Sequence, residues 1–449
     1  MDIFGSSGVR GVVNDEITPT FALQVAQAAG TVWSASRVAV ARDTRTSGRM
    51  LADAVSSGLG SVGVDVDRLG VVPTPAAHHH AAANGMPAVI VTASHNPPKF
   101  NGIKLVGTDG VGLDIETLEQ IETAVIDGPT PTAAWDAVGT QRSIEDRREA
   151  YIKSVLEAVD RAAIQAAELT IALDPAHGAG CFTTPPLLRR LGCEVHTVNA
   201  DANGRFPGRD PEPVPEHLKD LCRLVKAVDA DLGIAHDGDA DRAVFIDETG
   251  SPIDGSASLA ALAAEELTDG DTMVSAVNVS QRVVDAVEGV GATLELTPIG
   301  ATYLAERITD LRAGDTAVPI AGEGNGGIIF PPFRTARDGA YTAARFLELI
   351  ADRPASAVVA PYTGYHMVRE NIAYEDTTHR DRLLERAQTW AREHSGTLDT
   401  RDGYRIDTDD AWVLIRPSGT EPLIRVYAEA ADPERAQHLV TKATTAMDH

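Results

Sequence analysis

The sequence predicts an α/β protein: three related α/β/α domains with mixed sheets, followed by a smaller C-terminal α+β domain. Three observations carry this. An apolar strand, a helical stretch and a second strand recur three times in the same order, the chain from 356 onward follows a different pattern, and 449 residues are too many for one hydrophobic core. The expected domains are 1–145, 146–247, 248–355 and 356–449.

In the first copy, Val38 to Ala41 is a strand that leads to a polar loop at Asp43. A small-residue helix over Leu51 to Leu59 follows, then Gly63 and a strand at Val64 to Val66. The second copy runs from a strand at Leu169 to Leu173, through Asp174 and a Gly-rich turn, to a helix ending at Leu191-Gly192 and a strand at Glu194 to His196. The third runs from Thr272 to Val277, through Asn278 and a helix over Val283 to Val287, to Gly291 and Thr293 to Leu296. Short apolar runs alternating with helical stretches are βαβ signals, which favour parallel or mixed sheets flanked by helices. Their long spacing fits related domains rather than a solenoid. After a hinge expected near Arg353–Ala360, the last domain has a strand from Tyr365 to Asn371 and a helix from Asp381 to Glu393. Two further strands, Ala411 to Ile415 and Leu423 to Ala430, flank a loop, and Asp432-Pro433-Glu434 opens a final helix with a cap, a Pro at the first position and an early acid.

Composition narrows the function. Asp and Glu total 65 against 39 Lys and Arg, for a net charge of −26, which argues against a nucleic-acid partner. So acidic a surface suits high intracellular salt, a halophilic expectation that fails if the purified protein is equally stable and active without added salt. The longest segment free of Asp, Glu, Lys and Arg, Leu69 to Pro98, is broken by prolines, by His78-His79-His80 and by Asn84, so no membrane span is expected. Met1-Asp2-Ile3-Phe4 lacks the charged and apolar regions of a signal peptide. Three cysteines (Cys181, Cys193, Cys222) form no CxxC pair, which fits a reducing, cytoplasmic setting. The triplet His78-His79-His80 is expected on a solvated helix face.

Three motifs carry chemistry. Ser94 follows the buried-type strand Ala88 to Thr92, so it stands at a strand's carboxyl end, where open α/β sheets bind ligands. His95, Lys99 and Lys104 lie within ten residues of it, and only six lysines exist in the chain. There is no GxSxG, which disfavours a nucleophile-elbow hydrolase. Asp237, Asp239 and Asp241 alternate after the strand Leu232 to Ala235, with Gly238 and Ala240 small enough to let three carboxylates converge. Oxygen ligands without Cys or His favour Mg²⁺ over Zn²⁺, and Arg242 stands next to them to meet an anionic substrate. Ser418, Gly419 and Thr420, between Arg416 and Arg425, offer hydroxyls, amides and guanidinium groups to an anion. The glycine-rich Gly322–Gly327 loop has no GK[ST] and is no Walker loop, but Glu323 and Asn325 suit vicinal sugar hydroxyls. Arg10, in the polar loop Gly5 to Gly11, is a candidate brace for a phosphate on Ser94.

These five segments, in this order across essentially the whole chain, resemble the α-D-phosphohexomutase superfamily, and most of all its archaeal-type phosphoglucomutase/phosphomannomutase and phosphoglucosamine mutase members. The resemblance implies three α/β domains and a TBP-like fourth domain around a central cleft. It implies a phosphorylated Ser94 that binds one Mg²⁺ with Asp237, Asp239 and Asp241. It also implies interconversion of hexose 1- and 6-phosphates through a hexose 1,6-bisphosphate that doubles as activator. Lys104 matches the family's general base and acid, with His95 and Arg10 beside the transferred group. Glu323 would bind the sugar's 3- and 4-hydroxyls, and Arg416, Ser418, Gly419, Thr420 and Arg425 would grip the distal phosphate. The implied partners are sugar phosphates, and the chain is a monomer or a homo-oligomer.

Two departures stand out. Many relatives carry Glu-X-Ser-Gly-His in the sugar loop, where this chain has Asn325 and Gly327, so glucose, mannose and glucosamine phosphates are not ranked. Some relatives carry Gly in place of Ala240, a change expected to be harmless. The alternatives are a phosphoglucosamine mutase or phosphopentomutase, and a non-catalytic sugar-phosphate sensor, the last disfavoured because all the motifs are present together.

Overall fold

The computed structural model describes residues 3–5, 8–128, 130–418 and 422–448. The first sheet comprises β1 (Val9–Val12), β2 (Arg37–Arg42), β3 (Asp65–Val71), β4 (Ala88–Val91), β5 (Phe100–Val106) and β6 (Gln141–Ser143), in the order β1-β5-β4-β2-β3-β6. The second has β7 (Thr170–Asp174), β8 (Glu194–Thr197), β9 (Leu232–Ala235) and β10 (Val244–Ile246), ordered β10-β9-β7-β8. The third has β11 (Thr272–Ala276), β12 (Thr293–Thr297), β13 (Ala321–Glu323), β14 (Gly327–Phe330) and β15 (Arg334–Arg337), ordered β12-β11-β13-β14-β15.

One topology underlies all three. A central strand (β2, β7, β11) pairs in parallel with its successor (β3, β8, β12) on one side and with a third strand (β4, β9, β13) on the other. A fourth strand (β5, β10, β14) then turns back antiparallel to the third. The crossovers after the central strands are the helices Gly48–Ser61, Thr184–Arg190 and Gln281–Gly289. Strands β4 and β9 are buried at every position, which is why they read as unbroken apolar runs instead of alternating ones. Small residues serve packing as well: a Cβ at Gly58 would stand 2.5 Å from the Leu23 carbonyl of the neighbouring helix Pro19–Trp33.

The fourth sheet is antiparallel throughout: β16 (His366–Ala373), β17 (Thr397–Asp399), β18 (Tyr404–Asp407), β19 (Ala411–Pro417) and β20 (Leu423–Ala430), ordered β16-β20-β19-β18-β17. The helices Thr377–Glu393 and Pro433–Asp448 pack on it around Leu383, Ile406, Val426 and Leu439. One large cluster instead runs through the first three domains, from Ala39 and Ile90 through Tyr151 and Leu187 to Phe346. The fourth domain docks on the third through Arg405, which donates to the Val277 and Val279 carbonyls at 2.6 and 3.2 Å and lies over the Trp412 ring.

Two expectations need correcting. The stretch near Arg353–Ala360 is not a hinge loop. It holds the helix Ala355–Val359, whose Ala355, Val358 and Val359 join the large cluster and whose Ser356 backbone N–H donates to Glu248 at 3.1 Å. The connection into β16 passes instead through Gly364, at φ +101° with open space where a Cβ would stand. The histidine triplet lies on helix Thr74–Asn84, and it is not a solvated face: His78 is buried with Nδ1 2.8 Å from the Gly110 carbonyl, and His79 and His80 are half-buried. No helix of the described residues is long and apolar enough to cross a membrane.

Candidate active site

The three interior motifs occupy one topological position. Each lies in the connection from the third to the fourth strand of its domain: Ser94 between β4 and β5, the aspartates between β9 and β10, and Asn325 between β13 and β14. These connections leave the carboxyl ends of strands that run parallel to the central one, the edge at which α/β sheets bind ligands.

Ser94 sits in the left-handed region at φ +50° and is held from several sides. Its N–H donates to Thr92 Oγ1 at 2.9 Å, and Thr92 in turn donates to Asp43 Oδ2 at 2.7 Å. Buried Arg45 caps the loop with its whole guanidinium. Nε donates to Asp43 at 3.0 Å, Nη1 to the Pro97 and Phe100 carbonyls at 2.8 and 2.9 Å, and Nη2 to the Ser94 and Asn96 carbonyls at 2.8 and 2.6 Å. The Ser94 hydroxyl donates to Asp237 Oδ2 at 2.6 Å, which joins the serine loop to the acidic loop across the domain boundary. Gly238 makes this approach possible, since a Cβ there would come within 2.7 Å of the Ser94 carbonyl.

Asp237, Asp239 and Asp241 are buried, and one carboxylate oxygen from each lies within 4.8 Å of the others. Asp239 Oδ2 accepts from Thr74 Oγ1 at 2.6 Å and from Lys104 Nζ at 2.8 Å, and Lys104 also donates to Asp241 Oδ2 at 3.1 Å. The other oxygens, Asp239 Oδ1 and Asp241 Oδ1, are buried without a hydrogen-bond partner among the described residues. Burial and the two neighbouring carboxylates push Asp237 well above the usual carboxylate range. Arg10, Arg242 and Arg337 also stand near enough to act on the three acids, yet the orphaned oxygens remain, and these are what a hard divalent cation would satisfy, so the donor set fits Mg²⁺. Ala240 turns this loop at φ +56°, so its Cβ costs about 1–2 kcal/mol where a glycine would cost little.

Two guanidinium groups also stand beside the serine loop. Arg10 Nη1 donates to Asn96 Oδ1 at 3.0 Å, and Arg242 Nη2 donates to His95 Nδ1 at 3.0 Å. With Nδ1 accepting, the His95 proton sits on Nε2, and Arg242 and burial together hold the ring neutral. The Nε groups of Arg10 and Arg242 are buried without partners among the described residues. Unmet donors on two guanidinium groups beside one hydroxyl describe an anion site.

On the third domain, buried Glu323 pairs with Arg337 at the end of β15 and accepts from Asn325 Nδ2 at 3.3 Å. A Cβ at Gly327 would stand 2.7 Å from Arg337 Cδ, so the glycine makes room for the arginine. A cavity of about 90 Å³, lined by Arg10, Thr74, Lys104, Asp241, Thr302 and Arg337 among others, connects this group to the acidic cluster. On the fourth domain, Arg416 and Arg425 stand directly opposite on β19 and β20, and the Ser418 N–H donates to the Leu423 carbonyl at 2.8 Å. Arg416 Nε lies 3.2 Å from Asp402, which also accepts from the Ile299 N–H of the third domain at 2.9 Å. Gly419 and Thr420 lie outside the described residues.

Sequence reasoning missed Arg45, Thr74 and Arg337. Their only signals are the polar Asp43-Thr44-Arg45 run after an apolar strand, a Thr-Pro helix start and Arg337-Asp338 before a helix.

The chain matches the four successive segments of one family, described as phosphoglucomutase/phosphomannomutase alpha/beta/alpha domains I, II and III and C-terminal domain, over residues 1–130, 149–250, 254–365 and 373–446. It is 40% identical over 447 residues to a phosphoglucomutase/phosphomannomutase of Thermococcus kodakarensis, covering 97% of this chain and 96% of that one. It is also 40% identical over 441 residues to a probable phosphoglucosamine mutase of Methanopyrus kandleri, covering 97% and 95%. Among solved structures, a phosphoglucomutase/phosphomannomutase family protein of Burkholderia thailandensis superposes with a TM-score of 0.85 at 27% identity, covering 99% of this chain and 97% of that one.

Proposed function

Since this chain belongs to the phosphoglucomutase/phosphomannomutase family of intramolecular phosphotransferases, we propose that it interconverts hexose 1- and 6-phosphates of glucose, mannose or both, through phosphorylated Ser94 and a 1,6-bisphosphate. One observation carries the reading: the Ser94 hydroxyl is bonded to a buried acidic cluster with orphaned oxygens, and two guanidinium groups with orphaned N–H donors hold its neighbours His95 and Asn96. A phosphoryl group on that hydroxyl would take up the guanidinium donors, and a divalent cation held by the three carboxylates would take up the orphaned oxygens.

The reaction needs little covalent chemistry from the protein beyond the serine, because positioning and charge neutralisation supply most of phosphoryl-transfer catalysis. In the first half, the free hydroxyl of the sugar bonds to phosphorus as the bond from phosphorus to Ser94 Oγ breaks, and its proton passes to Lys104 Nζ as Lys104 hands one of its own protons to the Asp239 carboxylate it is bonded to. In the second half, Ser94 Oγ takes the other phosphoryl group from the reoriented bisphosphate, and the proton returns to the departing sugar oxygen. Asp237, Asp239, Asp241 and the serine oxygen are the residues we assign to Mg²⁺, which when bound supplies charge neutralisation at the transferring group. Arg10, His95 and Arg242 hold the anionic oxygens. Glu323, Asn325 and Arg337 orient the sugar ring, and Arg416, Ser418, Gly419, Thr420 and Arg425 hold the phosphate that is not transferred.

A second reading, phosphoglucosamine mutase, is supported by the Methanopyrus kandleri relative, which is as similar as the Thermococcus kodakarensis one. Coupled assays with glucose 1-phosphate, mannose 1-phosphate and glucosamine 1-phosphate separate the two by their kcat/KM ratios. Failure of all three to turn over, with Mg²⁺ and glucose 1,6-bisphosphate present, rejects both readings.

A further inference from the structure

A second basic site lies outside the Ser94 cluster, in an open cleft of about 470 Å³ between the helix Gly48–Ser61 and strands β3 and β6. We propose that this cleft binds a small phosphorylated sugar or polyol. The inference is independent of what the Ser94 site does.

Charge is the first argument. Arg49, Arg68 and Arg147 converge on the cleft against a single carboxylate, Asp53, in a chain whose net charge is −26. Asp53 satisfies only part of this: it pairs with Arg68 and lies 3.9 Å from Arg49, whose side chain is 83% exposed. Arg147 Nε is buried with no hydrogen-bond partner among the described residues, although Arg147 Nη1 is bound to the Ile144 carbonyl. A guanidinium held in place by backbone carbonyls beside two more guanidinium groups is a fork for phosphate oxygens.

Position is the second argument. Strands β2, β3 and β6 run parallel, and Gly70 and Ser143 lie at the carboxyl ends of β3 and β6, the ligand-binding edge of such a sheet; the cleft extends from there along Arg68 in the middle of β3 and Gln141 at the start of β6. Gly70 keeps the cleft open: it has φ +67°, and a Cβ there would stand 3.3 Å from the Arg147 guanidinium. The volume falls within the range of small-molecule pockets. Asp53 and the Gln141 amide oxygen already accept from Arg68 but keep further lone pairs for hydroxyl groups, which favours a phosphomonoester with a hydroxylated body over inorganic phosphate alone. Polyanions such as nucleic acid are excluded by the acidic surroundings.

The test is a calorimetric titration of the full-length protein with glucose 6-phosphate, in chloride buffer, for wild type, Arg49→Gln and the double variant Arg49→Gln/Arg147→Gln. The expected result is two binding events in wild type. One is weakened at least tenfold by the double variant, while mutase kcat stays at the wild-type value. Arg49 is exposed, so the single variant folds normally and should already weaken that event. Absence of binding in wild type, or binding in which every event survives the double variant unchanged, overturns the proposal, whereas a single wild-type event lost in the double variant places that event in the cleft.

Discussion

Replacing Arg45 tests how the serine loop is held. All five guanidinium N–H groups are spent inside the protein, four of them on carbonyls of the segment 94–100 and one on buried Asp43. Arg45→Met leaves that carboxylate without its cation, and burial already pushes Asp43 above the ordinary range while Arg45 pulls it back. Breaking a buried pair by removing one partner costs about 3–5 kcal/mol. Arg45→Lys keeps the charge but offers at most three donors from a single nitrogen, so at least two of the five bonds are lost. With a net worth of about 1.5–3 kcal/mol for each bond to a charged group, Arg45→Lys should cost about 3–6 kcal/mol in denaturant unfolding. The serine should also lose its fixed position, and displacement of a reacting group by about 1 Å costs about a hundredfold in rate. The assay is steady-state kinetics beside guanidinium unfolding. Arg45→Lys should lower kcat about 10- to 100-fold with KM little changed, because the sugar-binding residues stand on other domains. An unchanged unfolding midpoint together with kcat within twofold of wild type would refute the positioning argument.

Other outcomes follow from the same geometry. Asp239→Asn should raise the Mg²⁺ concentration for half-maximal activity about tenfold, equivalent to about 1.4 kcal/mol, and an unchanged magnesium titration would remove Asp239 from the ligand set. Gly327→Ala forces Arg337 away from Glu323, so KM for the hexose phosphate should rise about tenfold while phosphorylation of Ser94 proceeds as before, and an unaltered KM would detach Arg337 from the sugar. Burial holds His78 down at about 4, against about 6.5 when unfolded, so the unfolded chain takes up the proton first as pH falls. Stability is therefore intact above pH ~6.5 and falls by about 3 kcal/mol as pH approaches ~4; His78→Gln should flatten that window in urea titrations, and an identical pH profile would contradict it.

The legible parts of the sequence were those whose physics is local. Strand β4 announces itself as four consecutive buried residues, and the acidic cluster packs its three carboxylates into five consecutive positions. What stayed hidden acts over distance: Arg45 reaches Ser94 across 49 positions and Thr74 reaches Asp239 across 165, and no spacing rule links such pairs. The common position of the three motif loops also depends on strand order, which emerges only from pairing. His78 was misjudged because a polar triplet on a helix suggests solvent, whereas the backbone carbonyl of Gly110 satisfies the ring inside the protein. The hinge was misplaced because the segment around Pro354 looks like a linker, yet its small and branched residues form a buried helical turn.

The central claim is that Ser94 carries the phosphoryl group. The most direct measurement is intact-mass and peptide analysis of the protein after incubation with glucose 1,6-bisphosphate and Mg²⁺, followed by single-turnover transfer to glucose 6-phosphate. The account predicts one added phosphoryl group on the peptide containing Ser94, its loss on mixing with the sugar phosphate, and no modification of Ser94→Ala, whose mutase activity should fall by about a thousandfold or more. A phosphoryl group found on another residue, or Ser94→Ala turning over at the wild-type rate, would contradict it.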